Sequence, residues 1–194
     1  MESLIKIQTA FAKDICKHFV LSDESKKLLT EKMTPTEFVK QFMEKQFYLD
    51  VIKFIAHALP KRESVWWACL AAKYQFDSIV DDKEEFLSTL DAADLWVRKP
   101  TESNRRLAEK WSIKTEQKHS ASWAATAAFW STGSMTKEDE PAVPPQPYLF
   151  AHAVAGAVAI SGALTDPGKS EEGFKCLIAM GLDLASGGNG ELKT

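Results

Sequence analysis

Apolar side chains recur every three to four positions along most of the chain, which is the spacing that places them on one face of an α-helix. No run of residues alternates strictly between apolar and polar in the way that a half-buried strand does. The pattern therefore predicts an all-α protein. We expect a compact bundle of about eight or nine helices arranged as antiparallel helical hairpins, with a solenoid-like stack as the alternative arrangement.

The limits of the predicted helices follow from capping and breaking residues. Thr34 begins a capping box that ends at Glu37, and Pro60 separates two successive helices. The longer predicted helices cover residues 2–20, 47–59, 60–76, 82–98, 148–164 and 170–185, and shorter ones begin after Ser22, Thr34 and Thr101 and near Ser120. Residues 131–147 hold four prolines and an acidic run, so they are predicted to form an extended connection.

One domain is favoured over two, because the two helices after the proline-rich linker would bury too little apolar surface on their own. We expect residues 1–33 to form an N-terminal helical extension and residues 34–186 to form a single helical domain, with the proline-rich linker (131–147) inside it. Residues 187–194 are expected to form a flexible tail.

The helix predicted over 60–76 is expected to be the central one, since residues 65–72 are apolar on all sides. Trp66 and Trp67 are about 100° apart on a helix, so they cannot share one narrow stripe. Small residues recur at every fourth position of the 148–164 helix, which is therefore expected to pack closely on this tryptophan-rich part.

The chain contains six tryptophans. Four of them stand at helical spacing and are expected in the core: Trp66, Trp67, Trp123 and Trp130. Trp96 and Trp111 lie near predicted helix ends and are expected to be partly exposed.

The composition is that of an ordinary globular chain of 194 residues, with 24 cationic and 27 anionic side chains and a net charge of −3. This balance argues against a protein that covers nucleic acid or an anionic membrane surface. The three cysteines are far apart and odd in number, which favours reduced thiols in a cytoplasm. No signal-like apolar stretch is found near residue 1, and the uncharged residues 148–164 are too rich in small side chains for a predicted membrane span.

The sequence shows no coherent catalytic, metal-binding or nucleotide-binding motif. Gly168-Lys169-Ser170 is similar to the end of a phosphate loop, but the preceding glycine, Gly162, has the wrong spacing. Glu116 and His119 have the spacing of one half of a di-iron site, and the sequence holds no second such pair. We therefore expect no metal and no cofactor.

Two charged features stand out against this background. Lys61 and Arg62 occupy the first turn of the predicted central helix, where the helix dipole disfavours cations, so we expect compensating contacts. Asp94 lies on the apolar side of its helix, four residues after Leu90, and a buried carboxylate needs a partner. We expect Asp94 to pair with Lys61, Arg62 or an indole N–H as a structural pin between two helices, with His57 as a second polar pin.

Several stretches of the sequence are distinctive: Ala58–Cys69, Ala128–Ser131, Val143–Pro145, Ala153–Ala157 and Gly181–Asp183. With them the chain resembles an uncharacterised bacterial family of unknown function, over residues 34–186. The resemblance implies a small bacterial helical protein encoded near type VI secretion loci, and hence an accessory or adaptor role. It implies no catalytic residues.

These observations predict a non-enzymatic helical interaction module, an accessory, adaptor or chaperone protein of a bacterial secretion system located in the cytoplasm. Its partner would be another protein, either a secreted effector or a component of the secretion system, with no part for nucleic acid and no membrane span. The acidic proline-rich linker is expected to be a second contact. The predicted partner-binding residues are Lys61, Arg62, Glu63, Trp96 and Trp111.

The alternative is an enzyme or a small-ligand-binding protein with a site assembled around His57, Arg62 and Asp94. An enclosed pocket that holds all three side chains would favour this alternative, whereas an open groove with exposed aromatic side chains would favour the interaction module.

Overall fold

Ten α-helices make up the regular structure of the chain in the computed structural model, which describes residues 3–79, 81–164 and 168–191. No strand occurs within these residues, so the predicted all-α class is confirmed. The helices are α1 (Lys13–Cys16), α2 (Asp23–Leu28), α3 (Pro35–Glu44), α4 (Tyr48–Ala58), α5 (Lys61–Gln75), α6 (Lys83–Arg98), α7 (Glu102–Lys114), α8 (Ser120–Trp130), α9 (Leu149–Leu164) and α10 (Ser170–Ala185). A short 3-10 turn, Phe76–Ser78, follows α5.

Local sequence signals set the starts of α3 and α7. Thr34 Oγ1 accepts the backbone N–H of Glu37 at 3.3 Å, and Glu37 Oε2 accepts the N–H of Thr34 at 2.8 Å, which completes the predicted capping box. The Thr101 side chain accepts the N–H of Asn104 at the start of α7. These contacts satisfy backbone donors that have no partner inside the helix, and both helices begin where the sequence predicts.

The N-terminal segment is less helical than predicted. Of the helix expected over residues 2–20, the part described as α-helical is α1 alone. Backbone donors of this segment bind distant carbonyls instead: the N–H of Lys6 donates to Ala185 O at 2.9 Å, and that of Ala12 donates to Met33 O at 2.8 Å. The prediction is wrong because tertiary hydrogen bonds replace the helical ones. Apolar side chains of the segment join the common hydrophobic core: Leu4, Ile7, Ile15 and Phe19.

Helices α5 and α9 lie at the centre of the bundle. α9 packs against α4, α5, α8 and α10, and α5 packs against α4, α6, α8, α9 and α10. Because these neighbours include helices that are distant in sequence, the arrangement is a bundle rather than a solenoid-like stack. Ala153, Ala157 and Ser161 are fully buried along α9. The predicted close packing of this helix on the tryptophan-bearing helices is confirmed.

α10 crosses close to α5 at Gly181. A Cβ atom placed there would stand 2.8 Å from the Trp67 ring and 3.0 Å from Ile55, so the approach requires glycine. Trp67 is 0% exposed, and its indole N–H donates to Leu177 O at 2.8 Å. The helix that carries Trp67 is therefore surrounded by other elements, as the sequence predicts.

Four tryptophans differ from expectation. Trp66, Trp123 and Trp130 were expected in the core but are only partly buried and pack against it, whereas Trp111 is half-buried as predicted. Trp96 is 2% exposed, so its predicted partial exposure is wrong. Trp96 shares the buried face of α6 with Ala93 and Val97. Its burial is determined by its position around the helix axis and not by its distance from the helix end.

The residues after α10 fold back onto the bundle. The indole N–H of Trp66 donates to Asn189 O at 2.8 Å. The flexible tail predicted over 187–194 is therefore docked over 187–191, and residues 192–194 lie outside the described part of the chain.

Residues 131–147 form the predicted connection, with no helix or strand among them. The uncharged stretch that follows becomes α9, which is buried in the core. In the part of the chain that the structure describes, no helix combines the length and the apolar character that a bilayer span requires.

Candidate functional site

The first turn of α5 connects three other segments through its charged side chains. Lys61 Nζ donates to Ser131 O at 2.8 Å, at the end of α8, and Arg62 Nε donates to Val97 O at 2.6 Å, in the last turn of α6. Glu63 accepts a hydrogen bond from Lys6 Nζ at 2.9 Å. Both cations thus bind carbonyls at the negative ends of other helices, which is the compensation that their position at a helix start requires.

Asp94 forms its ion pair within α6. Its Oδ2 lies 2.7 Å from Arg98 Nη2, and its Oδ1 is buried with no hydrogen-bond partner among the described residues. The predicted pairing with Lys61, Arg62 or an indole N–H is wrong, because both cations are bound to backbone carbonyls. Arg62 connects α5 to α6, but it does so through the carbonyls at the end of α6.

An open depression of about 400 Å³ lies between α5, α6 and the segment after α10, and we name it the α5–α6 groove. Its lining includes Arg62, Glu63, Trp66, Asp94, Arg98 and Asn189. The Trp66 indole forms an aromatic wall, with Lys73 Nζ 4.4 Å from the ring centroid. The Arg98 side chain is 71% exposed and that of Asp94 is 13% exposed. The groove therefore exposes an aromatic surface and a guanidinium, beside a carboxylate whose Oδ1 is buried without a hydrogen bond among the described residues.

His57 is a second buried group with an unused polar atom. Its Nδ1 lies 2.7 Å from Lys53 O, and because a carbonyl can only accept, Nδ1 carries the proton. Nε2 is then an acceptor, and it has no partner among the described residues. Burial is the main cause that lowers the pKa of His57 to about 4, while its bond to Lys53 O opposes the shift. The imidazole is therefore neutral at pH 7.

His57 lines an open cavity of about 710 Å³, which we name the His57 cavity. Its walls come from the N-terminal segment, the ends of α4 and α8, the starts of α5 and α9, and the end of the proline-rich linker. They include His18, Lys61, Trp130, Tyr148 and Phe150.

The ring of Tyr148 stacks on that of His18 with centroids 3.8 Å apart. The His152 ring stands edge-on to His57 at 4.7 Å. Sequence reasoning selected His57 but missed these neighbours, which come from separate segments of the chain. The spacing of Tyr148 and His152 by four residues was the available signal.

The structure does not bring together the three residues of the enzymatic alternative. His57 lines the His57 cavity, whereas Arg62 and Asp94 line the α5–α6 groove. Within residues 3–79, 81–164 and 168–191, no group of three or more His, Cys, Asp and Glu side chains is arranged to hold a metal ion.

The predicted partner-binding residues are also divided. Arg62 and Glu63 line the α5–α6 groove and Lys61 lines the His57 cavity. Trp96 is buried. Trp111 lies on α7 with Lys114 Nζ 4.4 Å from its ring centroid, and it lines neither of the two depressions. The aromatic side chain of the groove is instead Trp66, which sequence reasoning assigned to the core.

Sequence reasoning missed a buried arginine altogether. Arg105 is 0% exposed, and its Nε and Nη2 each donate to the Glu102 carboxylate at 2.6 Å. Nη1 donates to Phe129 O at 2.9 Å, and Nη2 also donates to Ser134 O at 2.9 Å. Gly133 has φ +72°, and a Cβ atom there would stand 2.7 Å from Arg105 Nε. Arg105 therefore ties α7 to the end of α8 and to the start of the linker.

Comparison with known proteins identifies the family. The model of a family of unknown function, DUF6931, matches residues 38–185, which is well over half of the chain. The chain therefore belongs to this family. No curated protein and no solved structure matches it. The expectation of an uncharacterised family is confirmed, and the link to secretion loci stays a prediction.

Proposed function

We propose that this member of the DUF6931 family is a non-enzymatic interaction module whose α5–α6 groove receives a segment of another protein. The observation that carries the proposal is an open depression lined by a half-buried indole, an exposed guanidinium and Asp94, whose Oδ1 is buried with no hydrogen-bond partner among the described residues. Tryptophan and arginine are the residues most enriched at the energetic centres of protein interfaces.

The unpaired oxygen of Asp94 defines what the partner must supply. A buried acceptor without a hydrogen bond costs about 1–3 kcal/mol, so a partner gains this free energy if its binding turns the carboxylate towards the groove and supplies the missing donor. The donor is an N–H, a hydroxyl or a cationic side chain. Because Glu63 and Arg98 carry opposite charges in the same groove, we expect a partner segment that itself carries both signs.

The alternative of an enzyme or small-ligand-binding protein has less support. It depends on His57, Arg62 and Asp94 acting together, and they line two different depressions. For the identity of the partner, the resemblance described above favours a secreted effector or a component of a type VI secretion system, with the protein acting as an accessory or adaptor in the bacterial cytoplasm.

The test is affinity purification of the tagged full-length chain from the bacterium that encodes it, as wild type, as Arg98→Ala and as Lys118→Ala. Lys118 is an exposed cation between α7 and α8 and provides the matched control. We expect a protein that is recovered with the wild type and the control but at least tenfold less with Arg98→Ala. Equal recovery with all three chains, or no recovery above background, would refute the groove as a binding site.

The same experiment separates the interaction from its biological setting. Recovery of a secretion component or effector supports the adaptor role in secretion. Recovery of an unrelated protein that still depends on Arg98 leaves the interaction module standing and removes the secretion role.

A further inference from the structure

We propose that residues 141–147 are a second binding element, a preformed polyproline II ligand for an aromatic-lined groove with a basic rim on a partner protein. This proposal is independent of the α5–α6 groove, because residues of this segment are not part of the groove lining. It concerns a segment that the chain presents to the partner, rather than a groove that receives one.

The conformation of the segment follows from its proline positions. Proline fixes φ near −65°, and the residue before a proline is pushed towards extended or polyproline II geometry. Ala142 is the only residue of 141–147 that is neither a proline nor followed by one. A polyproline II helix repeats every three residues, so Pro141 and Pro144 share one face.

Hydrogen bonds hold the segment in place. The N–H of Met135 donates to Val143 O at 2.8 Å, and the N–H of Val143 donates to Ser134 Oγ at 3.0 Å. Thr136 Oγ1 donates to Pro141 O at 2.7 Å.

Residues 134–136, which make these contacts, are themselves bound to α7 of the bundle. Arg105 Nη2 donates to Ser134 O at 2.9 Å, and Arg106 Nη2 donates to Thr136 O at 2.6 Å. The proline segment is thus ordered before any partner binds. Less conformational entropy is therefore lost on binding.

The contact face of the segment is free. Pro141, Ala142 and Pro144 are exposed, and Val143 is 49% exposed. Exposed apolar side chains on a rigid, extended backbone are what aromatic-lined grooves of polyproline-binding domains recognise.

The charge before the segment specifies the partner further. Glu138, Asp139 and Glu140 immediately precede Pro141, and all three are exposed. Three carboxylates beside the contact face favour a groove with lysine or arginine at its rim, and they make the association sensitive to salt.

The experiment places a photo-cross-linking amino acid at position 143 of the full-length chain in the bacterium that encodes it, with the same amino acid at exposed Leu87 of α6 as the control. We expect a protein that is cross-linked from position 143 and not from position 87. A synthetic peptide of residues 137–147 should compete with this cross-link.

Binding of that protein, once purified, is then measured against the unmodified chain and its variants. We expect a loss of at least tenfold in affinity for the double variant Pro141→Ala/Pro144→Ala and no change for Lys118→Ala, which replaces an exposed cation between α7 and α8. Neutralising Glu138, Asp139 and Glu140 to the amides should remove most of the salt dependence. Substitution of exposed aromatic residues in the partner's groove should abolish binding.

Several results would overturn the proposal. They are the absence of a cross-link specific to position 143, unchanged binding of the double proline variant, and a partner whose contact surface lacks aromatic residues. Dependence of the position-143 cross-link on Arg98 would assign the contact to the α5–α6 groove instead.

Discussion

Two carboxylate–arginine pairs, each within one helix, have opposite surroundings. Glu102 and Arg105 pair in α7, where the guanidinium is fully buried and each of its nitrogens donates to an oxygen. Asp94 and Arg98 pair in α6, where the guanidinium is mostly exposed and one carboxylate oxygen is buried with no hydrogen-bond partner in the part of the chain that the structure describes.

The difference separates structure from candidate function. A buried ionic group in which every nitrogen already donates to an oxygen leaves little for a partner to add, and its removal is expected to destabilise the fold. A buried acceptor that the fold leaves unpaired is a cost that a partner can remove. We therefore regard the Arg105 cluster as an anchor and the α5–α6 groove as a place for contact.

The largest predicted effect on stability comes from removing the guanidinium of the Arg105 cluster. Arg105→Ala should lower the free energy of unfolding by about 3–5 kcal/mol, because it leaves a cavity and two carbonyls without donors. Arg98→Ala, the same substitution at the exposed pair, should cost less than about 1 kcal/mol. Urea unfolding followed by circular dichroism measures both. Similar losses for the two variants would remove the distinction between the clusters.

The sequence predicts most helices because their signals are local. The capping box at Thr34 and the alanine-rich faces of α9 each act within a few residues. The segment before α2 depends on hydrogen bonds to residues far away, such as Lys6 to Ala185, and no local signal reports them. This is why the predicted N-terminal helix is wrong.

The sequence predicts that certain residues of the candidate site need partners, but it does not predict which partners they have. The need to compensate Lys61 and Arg62 follows from their place at a helix start, but their partners are carbonyls of α8 and α6 that the fold brings near. Arg105 has a glutamate three residues before it, which is the pattern of an ordinary surface pair. The burial of Arg105 depends on packing between distant segments, and no local pattern in the sequence indicates it.

The second prediction uses His57, another buried group with an unpaired atom. Its pKa of about 4 lies below the value of 6.5 for an unperturbed histidine, so the unfolded chain binds a proton first as the pH falls. Stability should be full above pH 6.5, fall between pH 6.5 and 4 by up to about 3 kcal/mol from this residue, and then become independent of this group. Urea unfolding across this range measures the loss.

The matched variant for this titration is His57→Gln, which retains a donor for Lys53 O and has no group that titrates between pH 4 and 6.5. The pH dependence of its stability should be smaller than that of the wild type by the contribution of His57. Resonances of the His57 imidazole, followed by NMR, should show an Nδ1–H tautomer at pH 7. A His57 pKa near 6.5 would contradict the prediction.

The third prediction concerns Asp50, a buried carboxylate whose two oxygens both accept hydrogen bonds. Asp50 Oδ2 accepts hydrogen bonds from the hydroxyls of Ser22 and Ser25 at 2.7 Å each, and Lys53 Nζ donates to Oδ1 at 3.1 Å. Burial acts to raise the pKa of Asp50, but the bonds from Ser25, Ser22 and Lys53 outweigh it and leave the pKa below 3.8.

Asp50→Asn should therefore cost about 1–2 kcal/mol at neutral pH. Because the folded pKa is lowered, this contribution is present above pH 3.8 and is lost as the pH falls further, so wild type and variant should converge in acid. Parallel unfolding curves at pH 7 and pH 3 test both statements. A cost that is the same at both pH values would show that the charge of Asp50 is not what stabilises the contact.

The smallest predicted effect on stability is at Asp94. Asp94→Asn keeps the shape of the side chain, removes a charge that is buried with one oxygen unpaired, and gives up an ion pair whose arginine is mostly exposed. The gain and the loss nearly cancel, so the free energy of unfolding should change by less than about 0.5 kcal/mol. Binding of the partner recovered with the wild type should nevertheless weaken about tenfold, since an interaction with a charged acceptor is lost.

A stability loss above about 2 kcal/mol would show that the fold already satisfies both oxygens of Asp94, and Asp94 would then belong with Arg105 among the anchors.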